Sequence, residues 1–94
     1  MKPVWTRAAI RDLTHLRDYI ARENPNAARE IASRIVDATD RVIQFPEVGR
    51  VGRMNGTREM VVPGTKYLII YRLKKGAVHF LRVRHGRQEW PKGK

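Results

Sequence analysis

Arginines and a histidine crowd the end of this chain, in Arg82-Val83-Arg84-His85-Gly86-Arg87-Gln88-Glu89-Trp90-Pro91, and two more arginines, Arg58 and Arg72, stand in strand-like runs upstream. Guanidinium groups bind anions through a fixed fork of donors. An imidazole exchanges a proton near neutral pH, so His85 is a candidate acid or base. Together these side chains could bind an anion and move a proton. Each also has a plainer reading. A strand arginine is as often a solvated sheet-face residue, and a histidine at a strand end is more often a hydrogen-bonded structural group. Trp5 and Trp90 could stack on bases, yet a small domain more often uses tryptophan to cover a core edge. His15 faces away from the apolar side of its helix and reads as a surface residue, and His79 as structural or exposed. Three histidines without neighbouring acids or cysteines make no metal site.

The elements that must position these groups follow from periodicity. Between Arg7 and Glu23, residues Ala9, Ile10, Leu13, Leu16 and Ile20, with the stem of Arg17, recur at helical spacing after the cap candidate Thr6. Asn24-Pro25 breaks that helix and starts another, with Asn24 as cap and Pro25 at the first helical position. The second helix runs to about Phe45, with Ala28, Ile31, Ile35, Ala38, Val42 and Phe45 on one face. Ala32, Val36 and Ile43 widen its apolar arc, so it should touch both the first helix and a sheet. Asp18–Arg22, Glu30–Arg34 and Asp37–Arg41 are spaced as i,i+4 pairs on solvated turns, which makes these acids structural rather than catalytic.

Pro46 ends the second helix, and residues 46–56 form a glycine-rich loop without periodicity. Its Gly49-x-x-Gly52 spacing has no strand before it and no helix after it, which argues against a phosphate-binding loop. Strand-like runs follow at Thr57–Val62, Lys66–Leu73 and Ala77–His85, the last two joined by the turn Lys74-Lys75-Gly76. Met1–Trp5 adds a short strand at the sheet edge. The order β, α, α, β, β, β predicts an α+β fold, an N-terminal helical hairpin packed on a twisted antiparallel sheet, with residues 1–94 forming one domain. In the middle strand Tyr67, Ile69 and Tyr71 alternate with Leu68, Ile70 and Arg72. Both of its faces are therefore partly apolar. One meets the helices, and a partner segment is a natural cover for the other.

Composition bounds the function. The net charge is +11 over 94 residues, with no cysteine. From Thr57 onward ten Lys/Arg face two Glu, whereas the first 56 residues carry ten against seven acids. The charge thus concentrates on the sheet and tail, which suits a polyanion or an acidic protein partner. The absence of cysteine excludes disulfides and thiolate metal sites. No run approaches the ~20 apolar residues of a membrane span, and no signal peptide is evident. The sequence therefore reads as a soluble cytoplasmic protein without a cofactor.

The helical hairpin followed by Gly56-Thr57-Arg58-Glu59, Tyr67-Leu68-Ile69-Ile70-Tyr71-Arg72 and Leu81-Arg82-Val83-Arg84-His85-Gly86-Arg87 resembles the RelE/ParE superfamily of toxins from type II toxin–antitoxin modules. The resemblance covers Trp5 to Pro91. It implies a growth-arresting toxin held in a hetero-oligomer by a cognate acidic antitoxin. RelE-like members are similar to ribosome-dependent mRNA endonucleases, and ParE-like members resemble non-hydrolytic inhibitors of DNA gyrase. Cleavage beside a 2′-hydroxyl needs a base, cations for the phosphate and an acid for the leaving oxygen. On a RelE-like reading Arg58, Arg72 and His85 are the catalytic candidates, with Glu59 less suited as a base because alternation puts it opposite Arg58. On a ParE-like reading Arg82, Arg84, Arg87 and Trp90 form the target-binding end.

Three features favour the ParE side: two long helices of about 17 and 20 residues, the Gln88-Glu89-Trp90 tail, and the lack of the C-terminal tyrosine of many nuclease members. The expectation is therefore gyrase inhibition, with mRNA cleavage as its rival. A general nucleic-acid-binding module is the third reading. It is weakened because only Tyr67, Tyr71 and Phe80 could stack bases on the sheet.

Overall fold

The computed structural model describes residues 1–86, in the order β1 (Lys2–Trp5), α1 (Arg7–Glu23), α2 (Pro25–Gln44), β2 (Arg50–Val51), β3 (Arg58–Val61), β4 (Tyr67–Lys74) and β5 (Ala77–His85). Both helices start where their caps predict. Thr6 Oγ1 accepts from the Ala9 N–H, and Asn24 Oδ1 accepts from the Ala27 N–H, each at 3.1 Å. These bonds satisfy donors that a helix start leaves without an intrahelical partner. Helix α2 ends at Gln44, one residue short of the expectation, and Phe45 becomes its C-cap.

The five strands form one sheet in the order β1-β5-β4-β3-β2. Strands β2 to β5 pair antiparallel, as the hairpin turns require, while β1 pairs parallel with β5, Trp5 lying beside Phe80. The sheet is therefore mixed, with a parallel edge contributed by the segment that precedes the helices. The loop expected to lack periodicity supplies the two-residue β2, which pairs with β3.

One face of the sheet carries Ile69, Tyr71, Val78, Phe80 and Val83, which cluster with Ile35, Ala38 and Val42 of α2. Tyr71 and Phe80 are fully buried. Trp5 stacks on Phe80 with ring centroids 4.6 Å apart, so this tryptophan covers the core edge. Several positions expected on the helices' apolar faces are exposed instead, Ile10, Ala32, Val36 and Phe45 among them. Ile10 lies on the outer rim of the α1–α2 cleft, and Phe45 sits beyond the last turn of α2 with Arg41 over its ring at 5.7 Å. Of the expected i,i+4 pairs, Glu30–Arg34 closes at 2.8 Å, whereas Asp18 lies 3.6 Å from its neighbour Arg17. Among the described residues no helix is long and apolar enough to cross a membrane.

A bulge in β5 decides which way the site residues point. Ile70 pairs with Arg82 but Tyr71 pairs with Phe80, so Leu81 is an extra residue between them. The insertion reverses the alternation of β5. Before it the even residues Val78 and Phe80 face the helices; after it the odd residue Val83 does.

Candidate functional site

Three structures surround the basic residues: a clamp on β5, a loop anchored on Tyr71, and the sheet face turned away from the helices. The clamp begins at Thr6, whose hydroxyl donates to the carbonyls of Phe80 and Leu81 at 3.1 and 3.0 Å, holding the bulge against the start of α1. Six residues further on, Asp12 reaches β5 beyond the last residue of β1. Its carboxylate accepts from Arg82 Nε at 2.7 Å, from Arg82 Nη2 at 3.1 Å and from the Val83 N–H at 3.0 Å. Asp12 therefore satisfies an edge donor that a longer β1 would have paired. This bond to Asp12 also raises the Arg82 pKa further, against the opposing effect of burial. Arg82 is thus tied within the molecule rather than left as an uncommitted cation.

His85 pairs in register with Tyr67 and shares its face, with the rings edge-to-face at 5.3 Å. Both belong to a cleft of about 380 Å³ beside α1 that Asp12, His15 and Tyr19 also line. Burial raises the Tyr67 pKa, and the neighbouring Tyr19 adds to the effect.

Arg58 lies at the other end of the helix face. It pairs in register with Tyr71, and its Nη1 donates to the carbonyls of Gly49 at 2.7 Å and Glu47 at 3.2 Å. Tyr71 holds the same loop from inside the core, donating its hydroxyl to the Pro46 carbonyl at 2.7 Å and accepting from the Gly49 N–H at 2.9 Å. A Cβ at Gly49 would lie 2.6 Å from that hydroxyl, and one at Gly52 would collide with Thr57 Oγ1. The N–H of Gly52 is likewise spent on the Thr57 carbonyl. The two glycines therefore admit close packing of a loop rather than cradle a ligand.

The opposite face of the sheet carries no helix among the described residues. Register places Leu68, Ile70 and Arg72 of β4 on it, with Arg84 beside Leu68, His79 beside Arg72 and Glu59 beside Ile70. The Glu59 side chain is only 1% exposed. Its carboxylate accepts from Arg50 Nη2 at 3.1 Å and from the Arg53 N–H at 2.9 Å, an arrangement that binds β2 and its following turn to the sheet. Arg72 runs along the bare backbone of Gly56, where a Cβ would come 3.7 Å from its Nε; that Nε is buried and makes no hydrogen bond among the described residues.

The predicted residues are therefore distributed as follows. Arg72 and Arg84 share the face without helices, Arg58 and His85 occupy opposite ends of the helix face, and Arg82 bends to Asp12. Arg87 and Trp90 lie outside the described residues. Tyr67, Tyr71 and Phe80, the aromatics available for base stacking, all turn to the helix side. Sequence reasoning missed Asp12, although a signal existed: an acid at the i+3 position from Ala9 lies on the apolar stripe. It also missed the buried Glu59 carboxylate, whose partners come from a loop with no periodicity.

This hairpin on a five-stranded sheet, with a basic clamped final strand, agrees with what the comparisons with known proteins find. The family described as "ParE toxin of type II toxin-antitoxin system, parDE" matches residues 4–90. The chain belongs to this family of toxins, within the RelE/ParE superfamily. It is 39% identical over 87 residues to the "Putative toxin Y4kP" of Sinorhizobium fredii, covering 93% of this chain and 90% of that one. It is 42% identical over 82 residues to "Toxin RelE2" of Caulobacter vibrioides, covering 87% and 91%. In fold it is similar to a chain of the "Chromosomal ParDE TA system from P. aeruginosa", with TM-score 0.83, 24% identity, and 90% and 95% of the two chains covered. The likeness to a chain of the E. coli RelBE toxin–antitoxin complex is weaker, with TM-score 0.55 and 14% identity over 87% and 92% of the chains.

Proposed function

We propose that this toxin arrests bacterial growth by binding and inhibiting DNA gyrase in the cytoplasm, without cutting RNA, and that a cognate acidic antitoxin holds it inactive. The observation that supports a binding mechanism is the separation of the three groups an RNA-cleaving site would use. Cleavage beside a 2′-hydroxyl requires base, acid and cation within hydrogen-bond reach of one phosphate. Here Arg58 is spent on loop carbonyls, His85 lies beside Tyr67 on the helix side, and Arg72 lies on the other face. No single phosphate reaches all three in this arrangement.

The antitoxin reading rests on family membership and on the charge of +11. A disordered acidic segment that folds on binding would bring carboxylates to the arginines and cover apolar surface. Its affinity should fall as salt rises without vanishing, because apolar burial is only weakly screened. The target-binding end is Arg84, with Arg82 held in place by Asp12 and with Arg87 and Trp90 following in sequence.

Growth assays on induced variants test the mechanism. His85→Ala should weaken toxicity only partly, while charge reversal at Arg84 and Arg87 should weaken it severely. If the toxin is instead a nuclease, His85→Ala or Arg72→Ala should each lower mRNA cleavage by about 100-fold or more, the scale of a group acting in the transition state.

A further inference from the structure

The helical hairpin is the part of this protein whose charge is nearly balanced. Helices α1 and α2 hold seven arginines against six acids, a net of +1, so ten of the chain's eleven net charges lie outside them. An acidic partner is drawn to that basic remainder. A second copy of the same chain meets the least self-repulsion at the hairpin.

The outer side of the hairpin is also apolar along its middle. A cleft of about 340 Å³ runs between the helices, with Ile10, Leu13 and Thr14 on one wall and Ala32, Val36 and Thr39 on the other. Ile10 is 52% exposed and Val36 56%. Exposed apolar side chains gathered in one strip, with charges at its ends, mark a protein–protein contact.

Those end charges are self-complementary. The exposed stripe of α1 is Arg7, Ile10, Thr14 and Asp18, and that of α2 is Arg29, Ala32, Val36 and Asp40, with the same spacing of three, four and four residues. Each stripe begins with a cation, passes through uncharged residues and ends with an acid. The helices form an antiparallel hairpin joined at Asn24, so Arg7 stands near the level of Asp40 and Asp18 near that of Arg29. A two-fold axis along the cleft lays α1 of one copy over α2 of the other at unchanged height. Arg7 then meets the second copy's Asp40, Asp18 meets its Arg29, and the apolar strips face each other, every contact occurring twice.

The size of the face sets the strength expected. Helices of this length span about 26–30 Å and lie side by side over about 20 Å, giving roughly 500 Å² per copy and about 1,000 Å² for the pair. That is the lower end of specific interfaces, which suits a dimer in the micromolar range rather than an obligate one.

We propose that the free toxin pairs with a second copy of itself through the outer side of the α1–α2 hairpin, with Ile10 and Val36 at the centre and Arg7–Asp40 and Asp18–Arg29 contacts around them. This goes beyond gyrase inhibition and does not rest on it. The assay contains neither gyrase nor nucleic acid, so either reading can fail alone.

The test is sedimentation equilibrium of the purified free toxin in about 0.15 M salt, where charges outside the helices are screened beyond about 8 Å. The mass should rise with concentration from 10.9 kDa toward twice that value, with a Kd of about 10 μM. Val36→Asp, an exposed change that sets a carboxylate in the strip, should weaken association at least about tenfold. Asp40→Arg should weaken it about tenfold by placing like charges opposite each other. Adding Arg7→Asp to Asp40→Arg should recover most of that loss, because the pair re-forms with its signs exchanged. Glu47→Arg, an equal change of charge in the loop after α2, should leave the Kd within about twofold. Three results would each overturn the inference: a constant monomer mass up to about 200 μM, a dimer that Val36→Asp leaves intact, or a double variant as weak as Asp40→Arg alone. With a constant monomer, loss of antitoxin copurification from Val36→Asp would assign the face to the antitoxin instead.

Discussion

Asp12 and Arg82, 70 residues apart in sequence, meet in a two-point ion pair, Nε to Oδ2 at 2.7 Å and Nη2 to Oδ1 at 3.1 Å. The same carboxylate caps the Val83 N–H at 3.0 Å. One side chain of the first helix therefore fixes both the backbone and the guanidinium of the final strand, just past the bulge at Leu81. The basic end of the sheet depends on this link for its position.

Removing the carboxylate should cost stability at that point. Asp12→Ala leaves the Val83 N–H and the Arg82 fork without their acceptor, a loss of about 1–3 kcal/mol. Asp12→Asn keeps one acceptor oxygen and should lose roughly half as much. Urea unfolding of the purified variants measures both. An Asp12→Ala midpoint equal to that of the parent would show that the clamp contributes nothing.

Tyr71 should make the fold sensitive to alkali. Burial raises its pKa above the ordinary 10.0 and Glu47 adds to the effect, while the Gly49 N–H and Arg58 pull the other way. The folded protein therefore keeps the phenol protonated at a pH where the unfolded chain has released it. The resulting stabilisation is fully present below pH 10.0 and is lost as pH rises through the raised folded pKa. Ionisation would also remove the proton donated to Pro46. Melting temperatures of the parent should drop more steeply above about pH 10, a tyrosine's usual titration point, than those of Tyr71→Phe. Tyr67, whose pKa is also raised, should leave Tyr71→Phe with a residual alkaline loss. Parallel curves for the two proteins would contradict this account.

Glu59 should hold the β2–β3 corner. Glu59→Ala strips the acceptor from Arg50 and from the Arg53 N–H, and we expect a loss of about 1–3 kcal/mol, since both arginines stay half exposed. Hydrogen exchange should locate the damage, with protection lost at residues 50–59 and kept in β4 and β5. Uniform loss of protection across the sheet would mean that Glu59 supports the whole fold rather than its corner.

Much of the scaffold was legible because local chemistry agreed with the final packing. Thr6 and Asn24 cap where they stand in the sequence, and the helical stripes through Leu13, Leu16, Ile35 and Val42 do face the core. The parallel pairing of β1 with β5 was not legible, since nothing local to Lys2–Trp5 specifies the direction of a strand 70 or more residues away. The arrangement of the basic end was hidden by the bulge at Leu81. Strict alternation from Val78 and Phe80 would send Arg82 and Arg84 toward the helices and His85 away from them. One extra residue reverses all three. Arg82, Arg84 and His85 fall within four consecutive residues, yet they end up at a clamp, on the sheet face without helices, and in a cleft beside α1.

That dispersal underlies the central claim that this toxin works by binding gyrase, and DNA supercoiling by purified gyrase in the presence of the free toxin tests it most directly. The account predicts that supercoiling falls as toxin is added and recovers when an acidic antitoxin is supplied, while transcripts on translating ribosomes stay intact. Unchanged supercoiling together with ribosome-dependent cutting of the transcript would contradict it.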